Sequence, residues 1–173
     1  WQNFEKSYTS SKKMGGGIIL DGSHELNYLQ WIGGQIDYVC SFYSKIPKMN
    51  VETEGISEIL TQFNSKTIGR IHLDFINPKY NRHCEILGSK GSINWSYENL
   101  TLEIRKNNGK KKLVKYEKDP NKMYVDEMKH VINCINSKES NRISLDDAKK
   151  TLETSLLIKK SGIQKKVIKI PKN

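Results

Sequence analysis

Three side chains among the first thirty residues have the types and spacing of a proton-handling site. Asp21, His24 and Tyr28 recur at intervals of three and four. On an α-helix that spacing gathers them within about 60° of one another. A carboxylate one turn before an imidazole fixes its tautomer and raises its basicity, and a phenol one turn later can hydrogen-bond to either. The set suits general acid–base chemistry. The competing reading is an ordinary surface contact, because acid–histidine pairs at this spacing also form on solvated helix faces. His72, His83 and His130 have no comparable acid on a helix and read as structural or solvent-facing.

The site needs a rigid element, and the flanking residues supply one. Gly15-Gly16-Gly17 opens the stretch and Gly33-Gly34 closes it, so a helix is expected from Gly17 to Ile32. Ile18, Ile19, Gly22, Leu26 and Leu29 then form an apolar stripe opposite the polar trio. The glycine triplet has two readings: a flexible loop, or a close backbone approach to a ligand with free N–H groups aimed at it. It lacks the G-x-G-x-x-G order, and no strand leads into it, so it does not by itself cradle a dinucleotide pyrophosphate. Ser23 adjoins His24 but points elsewhere on a helix, and no G-x-S-x-G elbow is present.

After Gly34 the period changes to two. Strands are expected at 36–43, 55–63, 67–76, 82–87, 91–95, 100–106 and 111–116, joined by short turns rich in Asn, Gly, Ser and Lys. Consecutive strands with short turns make an antiparallel meander whose apolar face needs a cover. Two helices are expected to add to that cover. Asp119-Pro120 starts one, with Tyr124, Met128, Val131, Ile132 and Ile135 as its stripe. Ser144 starts the other in a capping-box arrangement with Asp147. Its inward side reads as Ala148, Leu152, Ser155, Leu156 and the Lys159 stem. A last strand runs from Lys166 to Ile170. The fold class is α+β: a large, mostly antiparallel open sheet with helices on one face.

Composition narrows the functions. The chain has 173 residues, 36% hydrophobic and 28% charged, enough for a single domain with one core. No apolar run is long enough for a membrane span, and no signal peptide is visible, so a cytoplasmic location is expected. The chain opens on Trp1 and is expected to be part of a longer protein. Cys40, Cys84 and Cys134 are odd in number and far apart, which argues against a zinc site and a disulfide framework. The net charge is +10, but it comes from 25 lysines and only 4 arginines, scattered apart from Lys110-Lys111-Lys112. That reads as surface solubility, with an anionic small substrate ahead of nucleic acid.

The residues from Tyr8 to Gly33, containing G-G-G-I-I-L-D-G-S-H-E-L-N, resemble the helix that opens the second domain of the glucose-fructose oxidoreductase, inositol dehydrogenase and MocA superfamily. Gly88-Ser89-Lys90-Gly91-Ser92-Ile93 is similar to that family's G-x-x-G-x-I step, and the chain from Tyr124 to Lys169 to its closing helix pair and strand. The resemblance implies an N-terminal Rossmann domain binding NAD or NADP, absent from this sequence, and a C-terminal domain, residues 1–173, that shapes a sugar site. It also implies homo-oligomerisation through the open sheet face. His24 falls on the family's histidine and Asp21 on its first aspartate. Asn27 replaces the second aspartate, and His24 follows Asp21 by three positions, rather than the four of many members. The lysine of the family's E-K-P motif has no counterpart here.

On this resemblance His24 and Asp21 are expected to be catalytic, with Gly15, Gly16 and Gly17 bordering the cofactor. Tyr8, Lys13, Asn27 and Tyr28 are expected to touch a sugar or nucleotide-sugar. The D-G-S-H-E-L variant is similar to members from bacterial surface-sugar biosynthesis. No metal, nucleic-acid or membrane role is expected. The alternative is a non-catalytic sheet domain for protein assembly.

Overall fold

A glycine divides the opening helix. The computed structural model describes residues 4–47, 49, 51–117, 119 and 121–171. In it α1 spans Ile18–Asp21 and α2 spans Ser23–Gly33, where a single helix was expected. Gly22 sits at the joint, buried. A Cβ there would lie 2.8 Å from the Ile18 carbonyl oxygen and 2.8 Å from the Leu73 side chain. The joint therefore packs closer than any side chain allows.

The strands follow the expected order: β1 (Ile36–Ser44), β2 (Ile56–Phe63), β3 (Ile68–Asp74), β4 (His83–Gly88), β5 (Gly91–Ser96), β6 (Thr101–Lys106) and β7 (Lys111–Lys115). The helices α3 (Lys122–Ile135) and α4 (Leu145–Gln164) and the short strand β8 (Ile168–Lys169) complete the chain. The α+β class and the antiparallel pairing stand. The strands divide between two four-stranded sheets, ordered β3-β2-β1-β8 and β4-β5-β6-β7. They belong to two compact units, residues 1–76 with 143–173, and residues 77–142.

In the first unit every strand pair is antiparallel, with Cys40 opposite Leu60 and Glu58 opposite His72. Val39, Ile59, Phe63, Ile71 and Leu73 turn inward onto Ile18, Ile19 and Leu26 of α1 and α2 and Ile158 of α4. Each such aliphatic side chain contributes about 1.5–3 kcal/mol on full burial. The outer face of the same strands leaves Phe42, Leu60 and Ile68 exposed.

The inward side of α4 differs from the expectation. Ser155 is buried as expected, but Ala148, Leu152 and Leu156 are exposed, and Thr151, Thr154, Ile158 and Ser161 are buried in their place. The cause is close packing on β1. The Ser41 hydroxyl donates to the Ile158 carbonyl at 2.6 Å, and the Ser41 amide donates to Ser161 Oγ at 3.1 Å. A Cβ on Gly162 would lie 2.3 Å from the Tyr43 ring. Only small side chains fit that gap, and their hydroxyls satisfy the polar groups it buries. The capping box of Ser144 and Asp147 forms as expected.

The second unit is the β4–β7 meander with α3. The Asp119 carboxylate accepts the amides of Asn121 and Lys122 and so starts α3, while Pro120 lies outside the described residues. The expected stripe has the right period but not the expected burial. Tyr124, Met128, Val131, Ile132 and Ile135 are all exposed, and none of the described α3 residues is buried.

Candidate functional site

The break at Gly22 separates the two residues that the spacing had paired. Asp21 ends α1 and accepts a hydrogen bond from the Tyr8 hydroxyl. That bond, reinforced by the carboxylate charge, holds the Tyr8 phenol above its ordinary value, so Tyr8 stays a proton donor at neutral pH. His24 lies in the first turn of α2, its side chain 58% exposed. Its acidic partner is the neighbouring Glu25, with Nε2 2.7 Å from Oε2. Asp21 and His24 thus stand on separate helices, and Glu25 is the acid that lies against the His24 ring. Glu25 sits beside His24 in the sequence, and adjacent residues on a helix start about 100° apart, so no periodicity signals the contact.

The other expected contacts divide. The Asn27 amide donates to Thr151 Oγ1 at 3.1 Å and ties α2 to α4. Tyr28 is half-buried on α2, and Lys13 is exposed on a short 3-10 turn, Lys12–Met14. The glycine triplet offers no free N–H groups. The amides of Gly15, Gly16 and Gly17 donate to the carbonyls of Lys12, Ser11 and Thr9. A Cβ on Gly16 would lie 2.4 Å from the Thr9 oxygen, and one on Gly17 2.4 Å from Glu54 Oε1. Packing against the chain itself requires these two glycines. Gly15 alone faces open space, in a left-handed conformation with φ 76°. The triplet thus holds no pyrophosphate cradle.

Glu54, which the sequence reading missed, and Lys159, of which it read only the stem as inward, stand behind this turn. Glu54 is 5% exposed, and its Oε1 lies 2.9 Å from Nζ of Lys159 on α4. Burial, and then the charge of Glu54, push the nearby Tyr43 phenol up. Glu54, Lys159, Tyr43, Lys12, Gly15 and Gly16 are among the residues lining a cavity of about 470 Å³. Asp21 and His24 are not in that lining. Lys159 is 105 residues from Glu54, and no local pattern signals a pair at that separation.

The sequence of residues 1–94 matches the model of the GFO/IDH/MocA C-terminal domain. The chain belongs to this family. No curated protein matches its sequence. Among solved structures, the fold is similar to a levoglucosan dehydrogenase in complex with NADH and L-sorbose. The TM-score is 0.86 at 16% identity, over 96% of this chain and 54% of that one. An NAD binding oxidoreductase from Klebsiella pneumoniae aligns with a TM-score of 0.85 at 16% identity, over 99% of this chain and 57% of that one. The WlbA dehydrogenase from Bordetella pertussis, in complex with NADH and UDP-GlcNAcA, gives 0.70 at 18% identity, over 91% and 49%. The chain spans about half the length of these structures. At such identities the likeness concerns the fold.

Proposed function

We propose that the whole protein is an NAD(P)-dependent oxidoreductase that acts on a hydroxyl or carbonyl carbon of a sugar or sugar derivative. Residues 1–173 act as its C-terminal substrate-binding and oligomerisation domain. Family membership supports the reaction class. The observation that carries the site is His24: an exposed imidazole at the start of α2, its Nε2 2.7 Å from Glu25 Oε2.

In this reading the His24 imidazole takes the proton from the substrate hydroxyl in oxidation and returns it in reduction. Asp21 and Tyr8 form a polar pair that contacts substrate hydroxyls, with Tyr28, Lys13 and the remaining capacity of the Asn27 amide beside them. When bound, NAD or NADP would supply the hydride exchange, with Gly15 at its border. An acidic or nucleotide-linked sugar suits the exposed Lys13, and one similar structure carries UDP-GlcNAcA. The exposed Phe42, Leu60 and Ile68 support association of two copies through the outer face of β1–β3.

The test is turnover of the intact protein, followed through the nicotinamide absorbance with a panel of sugars and nucleotide-sugars. His24→Ala is expected to lower turnover by about 10² with circular dichroism unchanged. Undiminished turnover in that variant would instead favour the assembly role.

A further inference from the structure

Strand register lays out the outer face of β1–β3. Glu58 stands between His72 on one side and Phe42 on the other, and Leu60 between Arg70 and Cys40. Gln62 stands between Ile68 and Tyr38. Directly opposed residues share a face, so the exposed Leu60 forms an apolar centre with Phe42 and Ile68. Glu58, Arg70, His72 and Asp74 border that centre on the side of β3. His72 has a carboxylate on each ring nitrogen. Glu58 Oε1 lies 2.6 Å from Nδ1, and Asp74 Oδ2 lies 3.0 Å from Nε2. A neutral ring carries a single N–H and can donate to only one of them. Both contacts become hydrogen bonds only when the ring is an imidazolium. Partial burial lowers the His72 value, but the bonds to Glu58 and then Asp74 raise it by more, so it stands above its ordinary 6.5.

We propose that proton uptake at His72 strengthens the association of two copies through this face, an inference that rests on the self-association proposed above. The chain carries a net charge of +10, which keeps copies apart. This face is where they can meet. Glu58 and Asp74 offset Arg70 and His72 there, and Lys169 stands at the far edge, opposite Tyr38. Aligned packing of the two faces about an axis along β2 sets Leu60 against its own counterpart and His72 against Phe42 of the second copy. The same symmetry sets Glu58 against Glu58. With His72 neutral, that meeting puts like charges together where water is excluded, which opposes the contact. With His72 charged, each Glu58 keeps its cation, and the cation lies on an aromatic ring. The paired state therefore holds the His72 proton more tightly than the single copy does. Association is strongest at pH values where His72 is charged and weakens as pH rises through its raised value.

Sedimentation velocity of the intact protein at about pH 5.5 and about pH 8.5 reads the dissociation constant of the pair. The constant is expected to be about tenfold higher at the alkaline value. Leu60→Glu, with circular dichroism unchanged, should abolish association at both values and so locate the contact on this face. His72→Gln should associate as weakly at both as wild type does at the alkaline value. Glu58→Gln removes the like-charge meeting and should associate tightly at both. It covers the case in which His72→Gln disturbs β3. Copies that stay single at both pH values, or an association that Leu60→Glu leaves intact, would overturn the self-association reading and this inference with it. Association through this face that is equal at the two values, or a pH dependence that both His72→Gln and Glu58→Gln retain, would overturn this inference alone.

Discussion

Gly17 holds a φ of 111°, a region that costs an L side chain about 1–3 kcal/mol. Its missing Cβ is also the space that the Glu54 carboxylate fills. Gly17→Ala is therefore expected to destabilise the protein by at least about 2 kcal/mol, read by urea unfolding. A change below about 0.5 kcal/mol would mean that the turn relaxes freely. The residue types at this site were legible in the sequence: histidine, acids and glycines cluster there visibly. Their pairing was not. Asp21 and His24 have helical spacing, but Gly22 interrupts the helix between them. Asp21 turns to Tyr8, and His24 turns to Glu25. Likewise the glycine amides point back into the chain, because Thr9, Ser11 and Lys12 supply acceptors that no periodicity shows.

At the scale of elements, α4 is the clearest case. Its start was legible, since Ser144 and Asp147 satisfy each other's backbone amides. Ser144→Ala should cost about 1 kcal/mol of stability in the same unfolding measurement, with the helix content of the folded protein kept. Its buried face was misread because apolar side chains usually face inward. Here the helix backbone approaches β1 so closely that Thr151, Thr154, Ser155 and Ser161 fill the contact, and Leu152 and Leu156 remain outside. The strands were read well, since alternation and turn residues are local signals. Which strands share a sheet is not local: the alternation of β3 and of β4 looks the same whether or not they pair.

For the whole molecule, the outer sheet face carries a titratable cluster. His72 lies between Glu58, 2.6 Å from Nδ1, and Asp74, 3.0 Å from Nε2. Partial burial works against its charge, but the two carboxylates outweigh that and hold His72 above its ordinary 6.5. A raised folded value stabilises the protein fully below the unfolded value and loses that effect as pH rises through the folded one. Wild type should exceed His72→Gln in stability by roughly 0.5 kcal/mol near about pH 5.5, shrinking towards zero near about pH 8.5. Denaturant unfolding at the two pH values checks the sign, and a difference that grows with pH would contradict it. The family could be read from the residues between Tyr8 and Gly33 because that segment joins a turn requiring glycine to a polar helix start.

The account's central claim is that His24 moves the substrate proton. Chemical rescue tests it most directly. Turnover of His24→Ala in the intact protein, with added imidazole, is expected to rise in proportion to imidazole concentration, because the ring site is open to solvent. Wild-type turnover should stay flat. A slow variant that imidazole does not accelerate, or a variant as fast as wild type, would contradict the claim.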